Sequence, residues 1–223
     1  LESVFLSYSF SKPEDRLIAA ELEDVFRSFG VRTVTGLNLG GNQLTDEVKA
    51  LIKESDGLVA LASRREQLAS GDWITHPWIR DEFGHAKSVG KNAIALVEDG
   101  VSTNGAYESY ERIPFERNNL APALLKLSKT LGIWKDKAGK RIKVRLLPDE
   151  LFENMQSPSF QYQFISRGNS LGWRPVNPVL EPGGIYLHLQ GVRDDYLIEV
   201  QVSSPSGVLR SRATSQTMPI TVE

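Results

Sequence analysis

The chain has 223 residues, 40% of them hydrophobic, which suffices for a sizeable core and leaves room for one large domain or an ordinary domain with a smaller appendage. Its 26 Lys+Arg stand against 28 Asp+Glu, a net charge of −2, so no basic excess draws nucleic acid or anionic lipid, and direct nucleic-acid binding is not expected. With no cysteine there is no disulfide framework, thiolate nucleophile or Cys-type zinc site, and His76, His85 and His188 lack metal-ligand spacing, so no metal is expected. No apolar run approaches the ~20 residues of a membrane span, and LESVFLSYSF lacks a basic leader. A cytoplasmic protein without membrane contact is expected, and the missing initiator Met points to sequence upstream.

In chain order, SVFLSY (3–8) is a short apolar strand broken at Ser9-Phe10-Ser11-Lys12. Pro13, Glu14 and Asp15 suit a first helical turn, and Ile18, Leu22, Val25, Phe26 and Phe29 recur at helical spacing up to Gly30. VRTVT (31–35) is a second strand, followed by the glycine-rich loop GLNLGGN. Leu44, Val48, Leu51 and Ile52 mark a helix ending near Ser55, and LVALA (58–62) a fully apolar strand. Pro77 opens a helix with Ile79, Phe83 and Ala86 on its inner stripe and Gly90 as its stop, and NAIALV (92–97) is the next strand. A further strand is expected around Ile113 to Phe115, before a helix carrying Leu120, Leu124, Leu125, Leu127 and Leu131. Strands alternating with helices predict a doubly wound parallel sheet covered on both faces.

From about residue 135 the composition changes. The predicted division is a first domain over 1–135, a charged connector over 136–158 with a possible strand and a short helix in LLPDELFENM, and a small antiparallel β-rich module over 159–223. FQYQFI (160–165), IYLHLQ (185–190), YLIEVQV (196–202) and VLRSRAT (208–214) alternate with period two, and SSPSG reads as a hairpin turn. The module shows no enzymatic constellation and is expected to sense a nucleotide signal or partner protein, or to mediate assembly.

Ligands of doubly wound sheets sit beyond the carboxyl ends of the strands. Three segments meet there: Ser9 to Lys12, Gly36 to Gly41, and the opening turns at Pro77. Trp78 and Glu82, four apart on that helix, share a face, which puts an indole beside an acid at the ligand edge. Tyr8, Ser9 and Phe10 are pocket candidates by position, Tyr8 equally the buried end of its strand, and Trp78 equally a core residue. Two apparent phosphate motifs are set aside: GHAKSVGKN joins helix to strand with the wrong glycine count, and GLNLGG lacks dinucleotide spacing.

The order VFLSYS, Asp15, GLNLGGNQL, LIKESDGLVALAS, WIRDEFGHA and VGKNAIALV resembles the Toll/interleukin-1 receptor (TIR) domain family, in particular its bacterial NAD-cleaving members. The resemblance implies a flavodoxin-like, five-stranded parallel sheet over residues 3 to about 135. It implies NAD+ as a substrate, with no redox cofactor, cleaved at the nicotinamide–ribose bond by a glutamate in W-x-x-x-E, here Trp78 to Glu82. It further implies a part in antiphage defence or signalling, activation by assembly, and a Gly36–Gly41 loop that frames the pocket and docks onto neighbouring copies, with Leu39 at the substrate or the assembly contact. A non-catalytic TIR scaffold is the alternative. The chain departs from the pattern in having Thr35-Gly36 where many members carry an aspartate, and Ser9-Phe10 where basic residues are common. Phosphates would then fall to Lys12, Arg64, Arg65 or backbone amides. Because nicotinamide leaves as a neutral molecule, one carboxylate suffices where ordinary glycosidases use two, and Glu82, needed in its ionised form, is expected to be only partly desolvated.

Overall fold

The computed structural model describes residues 1–36, 44–104, 111–149 and 157–223. Contacts divide the chain into two units, Leu1–Lys135 and Asp136–Glu223. The glycine loop beyond Gly36, including Leu39, and the short helix expected after Asp149 lie outside the described residues.

The first unit runs β1 (Ser3–Ser7), α1 (Pro13–Ser28), β2 (Arg32–Val34), α2 (Asp46–Glu54), β3 (Gly57–Ala62), a short hairpin β4 (Glu66–Gln67) and β5 (Trp73–Ile74), α3 (Pro77–Ser88), β6 (Asn92–Glu98), β7 (Arg112–Phe115) and α4 (Ala121–Ala138). Five strands form one parallel sheet in the order β2-β1-β3-β6-β7. This is the expected flavodoxin-like α/β arrangement, its order reversing next to β1. The sequence reading missed only the β4–β5 hairpin, whose four paired residues are too few to show a period.

Alternate strand residues serve opposite faces, as the pleat requires. Val4, Leu6, Val59, Leu61, Ile94 and Leu96 pack with α1 and α4 residues such as Leu22, Phe26, Leu127 and Leu131. Phe5, Leu58, Ala60, Ala62, Ala93 and Ala95 pack with Val48 and Ile52 of α2 and with Trp78, Ile79, Phe83 and Ala86 of α3. The alanines on β3 and β6 keep that face shallow, which lets the bulky inner stripe of α3 lie close to the sheet. Pro at the first position starts both α1 and α3, and Gly30 and Gly90, with φ of +66° and +73°, end them. Gly57 sits where a Cβ would come within 2.9 Å of Trp134 and 3.1 Å of the Asn92 carbonyl, so close packing admits no side chain there.

The second unit comprises β8 (Lys140–Leu147), β9 (Ser159–Ser166), β10 (Asn169–Ser170), β11 (Arg174–Val176), β12 (Pro178–Glu181), β13 (Gly184–Val192), β14 (Leu197–Ser204), β15 (Gly207–Arg210) and β16 (Ile220–Thr221). One sheet orders β10-β9-β14-β15, with β11 also on β9, and the other orders β12-β13-β8-β16. Both contribute to a single core, Phe160, Phe164, Ile198 and Val200 from the first and Val144, Leu146, Leu187 and Ile220 from the second. The β14–β15 pair closes at Ser204↔Gly207, as SSPSG suggested. The segment 136–158, expected as a connector holding a possible strand, supplies β8, which lies between β13 and β16. Its period-two core residues Val144 and Leu146 alternate with Arg141, Lys143 and Arg145, so the strand looks like a charge run until its parity is counted. Among the described residues no helix is long and apolar enough to cross a membrane.

At the carboxyl edge of the first sheet a buried ion cluster ties four segments together. Asp15, fully buried at the start of α1, accepts from Ser63 Oγ at 2.5 Å and from Arg117 Nη2 at 2.7 Å. Glu98, at the end of β6, accepts from Arg117 Nε at 2.8 Å and Nη2 at 3.0 Å and from the Arg64 amide at 2.8 Å. Removing one partner from such a cluster strands the others. Arg117→Ala is expected to lower unfolding stability by about 3 kcal/mol, the low end for a broken buried pair because solvent reaches the guanidinium. Urea denaturation followed by tryptophan fluorescence measures it; Arg27→Ala, which removes the exposed pair with Asp24, should leave the midpoint in place.

Candidate active site

Where β1 ends, a crevice of about 250 Å³, its open mouth included, is lined by Phe5, Leu6, Ser7, Tyr8, Phe10, Gly36, Val48, Trp78 and Glu82. Its walls are mostly aromatic: the Tyr8 and Phe10 rings meet edge-on at 4.5 Å, and Phe10 lies 6.5 Å from Trp78 at a tilt of 42°.

Besides Tyr8, the polar residues among the described lining are Glu82 and Ser7. Position 7 has the parity of Phe5, so its side chain faces the α3 side of the sheet, and Ser7 Oγ donates to Glu82 Oε2. Both residues are buried, Ser7 at 1% and Glu82 at 8% exposure. Partial desolvation of Glu82, expected from the need for an ionised acid, gives way here to near-complete burial. Burial pushes its carboxyl up to about 7, against the lowering effect of the Ser7 hydrogen bond and with a smaller push from Asp81. The cause is packing: Glu82 shares the helix face of Trp78 and Ile79 and is carried with them towards the sheet.

Trp78 belongs both to the core and to the crevice wall. It is 9% exposed, packs in the cluster under α3, and stacks on the His76 ring at 3.7 Å between centroids. One indole face is thus occupied by a neighbour, so the residue acts as a rigid wall. Tyr8 is buried at the end of β1, and burial raises its phenol above the usual value, with Glu23 adding to the effect and Arg16 opposing it. Ser9 is buried and pairs with Ser11 at 3.0 Å. Of the expected pocket residues, Tyr8, Phe10, Trp78 and Glu82 meet in the crevice; Ser9 and Arg64 are not among its lining residues. Arg64 Nε donates to the Asp99 carbonyl at 2.6 Å and lies 3.9 Å from Glu98, its guanidinium above Trp73. Lys12 donates to the Arg64 carbonyl. The three cations that could have met phosphate are thus engaged elsewhere: Lys12 joins the loop after β1 to the loop after β3, Arg64 joins the loop after β3 to the loop after β6, and Arg65 lies 3.5 Å from Glu66. Ser7 was missed by the sequence reading; the signal was a hydroxyl at a face-alternating position of an otherwise apolar strand.

No protein-family model matches the sequence, and no curated protein matches it. Among solved structures the chain is similar to a CMP N-glycosidase from Clostridium botulinum, at 19% identity over 57% of this chain and 99% of that one with a TM-score of 0.40. It is also similar to a prokaryotic SEFIR domain, at 16% identity over 58% of this chain and 97% of that one with a TM-score of 0.37. The architecture rests on the strand order itself: a flavodoxin-like parallel α/β unit, which fits a TIR-like fold, followed by a β-rich unit.

The burial of Glu82 has a measurable consequence. A carboxyl raised from 4.5 to about 7 by folding contributes no penalty below pH 4.5, where both states are protonated. Stability is lost as pH rises through the folded value, because the unfolded chain releases the proton first; the loss reaches about 3 kcal/mol above pH 7. Glu82→Gln keeps a neutral group of the same shape. Its stability relative to the parent protein should therefore grow by about that amount between pH 4.5 and pH 8 in parallel urea titrations. A pH-independent difference would mean that Glu82 is not a buried acid.

Proposed function

We propose that the chain is an NAD+ glycohydrolase of the TIR type, with Glu82 as its catalytic carboxylate. The observation that carries this reading is a buried glutamate, bonded to Ser7, in an aromatic crevice at the carboxyl edge of a parallel sheet. The W-x-x-x-E resemblance supplies the reaction.

In the proposed reaction the nicotinamide riboside end enters the aromatic crevice and the adenosine diphosphate remains outside, a pose supported by the absence of a cation among the described lining residues. The bond between ribose C1′ and the pyridinium nitrogen breaks, and both its electrons pass to that nitrogen, which becomes neutral. No proton donor is needed. Positive charge moves to C1′ and the ring oxygen of the ribose, where the Glu82 carboxylate stabilises it in surroundings from which water is largely excluded. Capture of the cation by water gives ADP-ribose and a proton; capture by a nitrogen of the substrate's own adenine gives a cyclic product.

Burial serves the charge stabilisation and opposes the ionisation on which it depends. With the carboxyl near 7, kcat/KM should rise as pH passes through neutrality and level off about two units higher. Nicotinamide release from NAD+ by the purified chain, alone and with a crowding agent that favours assembly, tests the reading. Glu82→Ala and Glu82→Gln are each expected to lower the rate by about 100-fold or more. Release that persists in both variants, or no release from the parent protein in either condition, would exclude Glu82 catalysis of this reaction. Chromatography of the product separates hydrolysis from cyclisation.

A further inference from the structure

We propose that Ser7 is a positioning residue for Glu82: its hydroxyl, fixed in a buried strand, sets the orientation and charge state in which the carboxylate meets the ribose. This rests on the reading of Glu82 as the catalytic acid. Ser7 is the last residue of β1, paired on its far side with Ala60 of β3. Its backbone is therefore part of the sheet, and its side chain, 1% exposed, has little room to turn elsewhere. Glu82 comes from α3, a separate element, so the Ser7–Glu82 bond joins sheet to helix across the floor of the crevice.

A carboxylate has two oxygens. Engaging Oε2 with Ser7 leaves Oε1 for an incoming hydroxyl or a developing positive charge, and restricts rotation of a side chain that would otherwise sample several rotamers. A hydrogen bond to the charged form also favours that form, which matters here because burial works against it. The other groups around Glu82 do not substitute. Among the described residues, Tyr8, just after β1, lines the crevice but its phenol interacts with Glu23 and Arg16 of α1, α2 presents Val48, and Asp81 on α3 itself acts in the opposite sense. A lone donor to a buried acid is where a single hydroxyl has the most effect.

The test uses the full chain, labelled with carboxyl-13C glutamate, with the Glu82 resonance assigned by its loss in Glu82→Gln. In Ser7→Ala the Glu82 titration midpoint should move up by about one pH unit, and the rising limb of kcat/KM for nicotinamide release should move with it. Activity would then be nearly tenfold lower at pH 6.5 and close to that of the parent at pH 9.5. Ser7→Cys, a weak donor of similar shape, should fall between the two. Loss of activity by the same factor at every pH, with the midpoint unmoved, would assign Ser7 a packing role and overturn the proposal. A midpoint that moves while the limb of kcat/KM stays would overturn it as well. Absence of nicotinamide release from the parent protein is a separate failure, that of the NAD-cleaving reading; the carboxyl titration still decides whether Ser7 governs Glu82, an unmoved midpoint overturning that coupling and a raised one supporting it.

Discussion

A carboxyl group taken out of water must find donors or keep its proton, and the first unit of this chain contains both solutions. Asp15 and Glu98 are as buried as Glu82, but they share the guanidinium of Arg117 and collect further donors from Ser63 and the Arg64 amide. Among the described residues Glu82 accepts from one hydroxyl, that of Ser7. The first pair is satisfied by these donors and holds the carboxyl-edge loops in fixed relation. The third acid is poised between two protonation states, which is the condition in which a small change in surroundings alters chemistry. Distributing the donors so unevenly separates a structural acid cluster from the acid of the proposed reaction within the same edge of a sheet.

The geometry behind that separation comes from the pleat. On β1, Val4 and Leu6 serve one helical layer, while Phe5 and Ser7 face the other. A hydroxyl at position 7 can therefore reach only what α2 and α3 bring to it. The row of alanines on β3 and β6 draws α3 close to the sheet, and the proline at its start fixes which turn faces the crevice. Glu82 is buried because Trp78, Ile79 and Phe83 are buried, and a helix cannot turn one residue to solvent while its neighbours on that face stay packed.

Much of this was legible in the residues. The central strands β1, β3 and β6 are largely apolar runs bounded by turn residues, and each helix beside them announces itself by a Pro, an acidic first turn or a terminal Gly, so composition and period agreed there. The shared face of Trp78 and Glu82 followed from helical spacing alone. Depth was not legible. Periodicity tells which face a side chain occupies, but how closely that face approaches the sheet depends on the sizes of residues far away in sequence, such as Ala60 and Ala95, and this is why the near-complete burial of Glu82 was not foreseen. The fate of Lys12 and Arg64 was hidden for the same reason: a cation near a ligand edge is as available to a carbonyl 52 residues away as to a phosphate. In the second unit β8 was legible only as a possible strand in a charged connector, because three cations on its outer face outweighed the alternation of Val144 and Leu146.

A carboxylate beside NAD+ faces a difficulty of its own, because the substrate already carries a positive charge on the pyridinium before any bond breaks. An acid placed under the ring would stabilise ground state and transition state alike and accelerate nothing. What changes along the reaction is where the charge sits, moving from the pyridine nitrogen to the ribose. The carboxylate assists only if it lies nearer the sugar than the ring, a matter of ångströms that a freely rotating glutamate would not hold. An acid anchored through one oxygen to a strand of the sheet, and walled by an indole that is itself clamped by a histidine, has that restriction built in. With Lys12 and Arg64 committed elsewhere and a net charge of −2, little in the described crevice grips the phosphates. Selectivity in the proposed reaction then derives from the end of the molecule that reacts, where the placement of one oxygen atom determines whether binding becomes catalysis.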